Sequence, residues 1–350
     1  ASVAWAFHAG DGAFVAHPSI TPEGRYRVEA TVIGVMTGST SCSLTFCVTG
    51  KSGLGHLRRT ANIAAAIKRV CPDIELRIVA NAPIDGLAPS ERALFGQARV
   101  VERGDMARCV AELPDGPVVT DTAIIPDLEL LPRRLVLVLR ETIDTRLPAF
   151  RMPAGRQWDE VLVAAPQEQW TVAAAAVGAT RVENIGWIYR VPPRSSTRVL
   201  PPRRSNEKLI LIATGGGGTP ATAAALKREL DAVLAHVCRL ADDRPRVLQA
   251  LGPRAPLEAR LHRADDVVDV GSRLDEAFAE ADLVISTTGY NSVLELATTD
   301  TPTLLCAIPR TYDDQAARAA AWAGRLGLDH FPGEIERSAC WITQTLAAGR

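Results

Sequence analysis

Residues 282–328 read DLVISTTGYNSVLELATTDTPTLLCAIPRTYDDQAARAAAWAGRLGL. The stretch alternates strand-like and helical signals. Leu283–Ser286 is a short apolar, β-branched run, and it leads into Thr287-Thr288-Gly289-Tyr290-Asn291-Ser292 and a helical segment through Thr298. A second run, Thr303–Cys306, is followed by Pro309 and then by Asp313-Asp314-Gln315 at the start of another helix. Short, continuously apolar strands separated by helices are the pattern of a parallel sheet covered on both faces, so the stretch predicts βαβ units and an α/β fold.

The same alternation extends outward. Leu209–Ala213, Arg246–Leu251 and Val267–Val270 precede the stretch as strands, with helices between them. An earlier series begins with a strand at Ser43–Thr49. A helix follows at Leu57–Val70, where Ile63, Ala66, Ile67 and Val70 recur at helical spacing. It continues with strand-like Glu75–Ala80, helical Pro89–Gln97, and strand-like Pro117–Thr120, Leu135–Leu139 and Glu160–Ala164. Between the two series lies RVPPRSSTRVLPPRRSNEK, residues 190–208, whose paired prolines suit neither a helix interior nor a central strand. The reading is two Rossmann-like α/β domains in tandem, 41–195 and 208–335, joined by a linker at 196–207. Residues 1–40 show no clear period, with Met36 just before the first strand, and little functional content is expected there. Residues 336–350 read as a C-terminal helix that crosses back to support the first domain.

Composition narrows the class. The chain has 350 residues, enough for about two domains at ~100–200 residues each. Its formal net charge of −1 argues against a strongly basic nucleic-acid binder. Only four of the 39 basic residues are lysines, an arginine excess that reads as codon bias before it reads as chemistry. The apolar runs are too short to span a bilayer, and no basic segment followed by an apolar one marks a signal peptide. Peripheral contact with a membrane stays open. Seven dispersed cysteines without a CxxC pair fit neither a disulfide framework nor a zinc site and predict a reducing cytoplasm.

Two glycine-rich turns follow strands and precede helices, where unpaired backbone N–H groups favour an anion. The first is Gly50-Lys51-Ser52-Gly53-Leu54-Gly55-His56. It is not a Walker A loop, because Thr45 stands where glycine is needed, and Arg58 breaks GxGxxG. The second is Gly215-Gly216-Gly217-Gly218-Thr219, where Pro220 breaks GxGxxG but suits a first helical turn. One such loop is as readily a plain strand–helix turn; two of them favour phosphate binding. Thr287, Thr288, Asn291 and Ser292 gather at a helix start, able to cap it or to bind an anion. Glu295 lies one turn further, placed to accept bonds from sugar hydroxyls beside that anion.

Gly289-Tyr290-Asn291-Ser292-Val293-Leu294-Glu295, with Pro302 and then Asp314-Gln315, resembles the donor-binding signature of GT-B UDP-glycosyltransferases, in particular glycosyltransferase family 28. Gly53-Leu54-Gly55-His56 with Arg58 and Arg59 is similar to the acceptor-side loop of the same superfamily. The resemblance covers roughly residues 44–330. It implies GT-B architecture, with two parallel sheets facing across a cleft, an acceptor-side N-terminal domain and a nucleotide-sugar donor domain. It implies that Asn291, Ser292, Thr287, Thr288, Gly289 and the 215–219 loop bind the donor diphosphate, and that Glu295 binds the ribose. Asp314 and Gln315 would bind the transferred sugar, and Val270, Arg273 and Leu274 the base. Relatives often carry His where Thr287 stands, which shifts more of the diphosphate binding onto the backbone, and Gly where Asp300 stands, which alters little because Asp tolerates a left-handed cap.

In inverting relatives a His at the position of His56 deprotonates the acceptor hydroxyl, and an Asp from a later strand orients it. Asp121, at the end of Pro117–Thr120, stands where that partner is expected. Imidazole titrates near neutral pH, and a carboxylate fixes its tautomer, so the pair suits a general base. His56 as a loop cap and Asp121 as a turn cap is the plainer alternative. Glu141 and Asp144 are lesser candidates for the base. Arg58 and Arg59 would suit an anionic acceptor. The remaining histidines (8, 17, 236, 262 and 330) show no metal-ligand spacing, and neither a metal nor a cofactor is required. The expected activity is metal-independent, inverting transfer of a hexose-type sugar from a UDP-sugar to a hydroxyl acceptor. A UDP-sugar hydrolase, suggested by a similar GLGH-like loop in the hydrolase of pseudaminic acid synthesis, and a non-catalytic nucleotide-sugar sensor are the rival readings.

Overall fold

Chain segments of five or six consecutive apolar residues have no polar face to offer water, so they form the inner strands of covered parallel sheets. The computed structural model describes residues 7–9, 12–20, 26–33, 43–50, 54–188, 197–215, 219–252, 255 and 257–349; for residues 7–33 it describes the backbone. The elements are β1 (Phe7–Ala9), β2 (Gly12–Ile20), β3 (Tyr26–Ile33), β4 (Ser43–Val48), α1 (Gly55–Val70), β5 (Glu75–Ala80), α2 (Pro89–Arg92), β6 (Gln97–Val100), α3 (Met106–Ala111) and β7 (Val118–Asp121). They continue with β8 (Leu135–Leu139), β9 (Glu160–Val163), α4 (Ala174–Val177), β10 (Val182–Asn184), β11 (Leu209–Ala213), α5 (Pro220–Leu240), β12 (Arg246–Ala250), β13 (Asp266–Val268) and α6 (Leu274–Glu280). The last are β14 (Leu283–Thr287), α7 (Tyr290–Leu296), β15 (Thr303–Cys306), α8 (Gln315–Leu326), β16 (Gly327–His330) and α9 (Ile335–Ala348).

The chain divides into two compact units near residue 188. The N-terminal unit contains a seven-stranded parallel sheet of order β10-β9-β8-β7-β4-β5-β6. Every residue of β4, β7, β8 and β9 is buried. From β4 the chain steps outward through β5 to β6, then returns to lay β7 on the other side of β4. That reversal opens a crevice at the carboxyl ends of β4 and β7, where ligands of open α/β sheets bind.

The C-terminal unit repeats the design. Its six parallel strands run β13-β12-β11-β14-β15-β16, so the reversal lies between β11 and β14. Helix α5 buries Ala223, Leu226, Leu230, Val233, Leu234 and Val237, a helical stripe that covers the sheet. Thr219 caps this helix, its Oγ1 accepting from Thr222 N at 3.3 Å, and Pro220 occupies the first turn.

Several expectations change. Residues 1–40 contain a three-stranded antiparallel sheet, β1-β2-β3, rather than unpatterned chain. The helical segment at 89 stops at Arg92, and Gln97–Val100 is an edge strand. β10 and β16, of three and four residues, had no expected counterpart. Helix α9 packs within the C-terminal unit, where Ala339, Ile342 and Leu346 join Val233, Leu234 and Val237 in the core. The first residue of the expected linker, 196, lies outside the described residues, as do residues 189–195. Among the described residues no helix is long and apolar enough to cross a membrane.

Candidate active site

At the first reversal, β4 ends in a turn that Asn81 fixes from the end of β5, its Oδ1 accepting from Gly50 N at 2.7 Å. Gly53 lies outside the described residues; Gly55 opens α1. His56 sits in the first turn of that helix with its side chain 30% exposed. Asp121 closes β7 beside it and is 2% exposed. His56 Nδ1 and Asp121 Oδ2 are 3.1 Å apart, a contact across 65 residues of sequence. With the ring proton on Nδ1, Nε2 carries the lone pair, the arrangement a general base requires.

Arg58 and Arg59 do not present free cations for an acceptor. Arg58 is 9% exposed, with Glu91 at 3.9 Å. Arg59 is 2% exposed, and its Nε and one terminal nitrogen donate to Asp121 Oδ1 at 2.9 and 2.7 Å. One helical turn separates Arg59 from His56, so both reach the same carboxylate. Burial pushes the Asp121 carboxyl up, but the Arg59 charge, then His56 and their hydrogen bonds, outweigh it and hold the group below the usual carboxylate value. Asp144 is engaged elsewhere, accepting from Trp170 Nε1 at 3.2 Å.

At the second reversal, β11 ends in Thr214 and Gly215, whose φ of +60° is left-handed and favours glycine. Gly216, Gly217 and Gly218 lie outside the described residues. A Cβ on Gly215 would sit 4.0 Å from Thr287 Oγ1, and one on Gly252 would sit 3.5 Å from Gly215 O. The turns after β11, β12 and β14 therefore meet at one place. Gly289 is the N-cap of α7, and a Cβ there would lie 3.6 Å from Ser292 Oγ. Asn291 and Ser292 are half-buried in the first turn, and Glu295 is half-buried one turn on. The structure thus brings Gly215, Thr287, Gly289 and Ser292 into one region.

The polar residues near 315 are arranged differently from the expectation. Asp314 is exposed and caps α8, its Oδ1 accepting from Ala317 N at 2.9 Å. Gln315 is 4% exposed and turned inward: Oε1 accepts from Ile308 N at 3.1 Å, and Nε2 donates to Asp313 Oδ2 at 3.2 Å. Its backbone carbonyl accepts from Thr288 Oγ1 at 2.8 Å. Arg318 completes the network, donating to Asp313 Oδ1 at 2.7 Å and to Thr288 O at 3.0 Å. Arg318 was missed as a site-building residue; the signal was a cation five residues after Asp313 across a helix start. Near Val270, whose carbonyl accepts from Arg273 N at 2.9 Å, the Arg273 side chain is held by Glu276 at 2.9 and 2.7 Å. Leu274 begins α6.

Residues 217–325 match the glycosyltransferase family 28 C-terminal domain. No curated protein matches the chain in sequence. Solved structures do. The spinosyn forosaminyltransferase SpnP aligns with a TM-score of 0.54 at 14% identity, over 88% of this chain and 91% of its own. The spinosyn rhamnosyltransferase SpnG complexed with thymidine diphosphate aligns at 0.52 and 16% identity, over 87% and 90%. Arabidopsis thaliana UGT89C1 complexed with UDP-L-rhamnose aligns at 0.52 and 9% identity, over 83% and 85%. Those likenesses are of fold, and the family match lies on the half that carries the second glycine-rich turn. The chain shares the GT-B fold of these glycosyltransferase structures, and its residues 217–325 match a family 28 C-terminal domain.

Proposed function

We propose that the chain transfers a hexose-type sugar from a nucleoside diphosphate sugar, with UDP as the expected nucleotide, to an acceptor hydroxyl with inversion at the anomeric carbon. The observation that carries this reading is the 3.1 Å contact between His56 and Asp121 at the reversal point of the N-terminal sheet. His56 Nε2 takes the hydroxyl proton as the acceptor oxygen bonds to the anomeric carbon. The bond from that carbon to the diphosphate oxygen breaks, and its electron pair leaves with the nucleoside diphosphate. No metal is assigned to the step. Loop N–H groups after β11, with Asn291 and Ser292, take the charge on the leaving diphosphate, and Glu295 holds the ribose.

Thermal shift against a panel of nucleoside diphosphates tests the donor half. UDP at a hundred times its dissociation constant is expected to stabilise the chain by about 2.7 kcal/mol; no shift with any nucleoside diphosphate would remove the donor reading. Glu295→Ala is expected to weaken donor affinity about tenfold, the equivalent of roughly one hydrogen bond, as read by calorimetry. Unchanged affinity would contradict the ribose role. Incubation of enzyme and donor without acceptor separates transfer from hydrolysis. Slow release of the diphosphate is expected, and rapid stoichiometric release would establish water as the acceptor.

A further inference from the structure

A carboxylate as deep as Asp121 ordinarily takes up a proton, because burial disfavours its charge. Protonated, it could no longer accept from an imidazole N–H in a fixed direction, and the His56 ring would be free to carry its proton on Nε2, where it is useless as a base. Three contacts oppose that outcome. Arg59 reaches Oδ1 through Nε at 2.9 Å and through a terminal nitrogen at 2.7 Å, and the same nitrogen lies 2.9 Å from Oδ2. The same nitrogen stands 3.4 Å from His56 Nδ1, and with the ring proton on Nδ1 the two are both donors and form no bond.

A fourth contact comes from Thr122. Its φ is +49°, a left-handed value that is strained for a β-branched residue. In that conformation its Oγ1 accepts from Arg59 at 3.3 Å and lies 3.2 Å from both Asp121 Oδ1 and Val138 O. The backbone is tied down as well, Thr122 N donating to Val138 O at 2.8 Å. Strain of this kind persists where surrounding contacts over-determine it, and here they come from Val138 O, Arg59 and the Asp121 carboxylate.

We propose that Arg59 is a positioning residue for the base: together with Thr122 it clamps Asp121 as the anion, with Oδ2 aimed at His56 Nδ1, and thereby fixes the tautomer that leaves Nε2 free. The inference rests on the reading of His56 as the base. Before proton transfer the Arg59 and Asp121 charges cancel, so the buried cluster carries no net charge with the ring neutral. The ionisable groups that act on Asp121, Arg59 and His56, both come from α1. Arginine suits the role better than lysine, because its planar fork engages a carboxylate at two points at once.

The test is ¹⁵N and ¹³C NMR on the full-length chain, with the His56 signals assigned from the His56→Gln spectrum. Native protein is expected to show a single Nδ1–H tautomer for His56, and an Asp121 carboxyl carbon that titrates below the usual aspartate value. In Arg59→Met the ¹⁵N shifts are expected to move to averaged values, and Asp121 to titrate at higher pH. The same variant should lose about 10- to 100-fold in kcat at a donor KM changed less than about twofold. Arg59→Lys, which keeps the charge and loses the fork, should restore Asp121 ionisation and part of kcat.

A role confined to folding would leave the tautomer and the carboxyl titration where they are. A folded Arg59→Met with native ¹⁵N shifts therefore overturns the proposal. Should that variant not fold, Arg59→Gln, which keeps a donor and loses the charge, carries the same readout, and native tautomer signals with native Asp121 titration in it overturn the proposal. Full turnover in His56→Ala would instead refute the base assignment, while the tautomer signals would still decide whether the clamp exists.

Discussion

His56→Ala is expected to lower kcat for sugar transfer by about 10²- to 10⁴-fold, the range that a positioned general base supplies. The His56 side chain is 30% exposed, so its removal opens no core cavity, and Asp121 keeps the Arg59 pair beneath it. Folding should therefore survive, with an unchanged melting temperature. Donor affinity should survive as well, since the groups assigned to the donor lie on the C-terminal domain. Steady-state kinetics with saturating donor, alongside calorimetric titration of the nucleoside diphosphate, separate the two effects. A folded His56→Ala enzyme with native turnover would show that the acceptor is activated by another group.

The sequence carried the architecture further than the site. Leu135–Leu139 and Leu209–Ala213 are legible because an inner parallel strand is apolar on both faces, and nothing else in a short run looks like that. Gln97–Val100 was lost to an adjoining helix because an edge strand alternates in burial and follows Pro89–Arg92 closely. His56 and Asp121 could be paired in advance because the resemblance to inverting glycosyltransferases implies the pairing, and each follows a recognisable strand. Arg59 could not be placed, since a cation at a loop exit reads equally as a ligand for an anion or as a partner for a buried carboxylate. Only the fold shows which carboxylate is near. The inward turn of Gln315 was hidden for a related reason: its neighbours Ile308 and Asp313 capture both ends of its amide, a choice made by loop geometry rather than by residue type.

The same loop yields the largest expected effect on stability. Arg318 and Asp313 form a buried ion pair, with side chains 3% and 8% exposed and 2.7 Å between charged atoms. A buried pair is weak evidence of net stabilisation when intact, because each ion has lost its water. Breaking one is a different matter: the survivor stays buried without its counter-charge, at a cost of about 3–5 kcal/mol. Arg318→Met does this to Asp313 and also removes the donor to Thr288 O. At roughly 2–4 °C per kcal/mol for a domain of this size, the melting temperature should fall by about 10 °C. Adding Asp313→Asn should recover part of the loss, because the neutral amide no longer needs the cation while Gln315 Nε2 can still donate to its oxygen. Donor affinity should fall in the single variant as well, since Thr288 and Gln315 both hang from this pair, and it should return less completely in the double variant, where the bond to Thr288 O remains missing. A melting temperature within about 2 °C of native in Arg318→Met would mean that water or Gln315 already compensates Asp313, and that the loop between β15 and α8 is held by its backbone contacts instead.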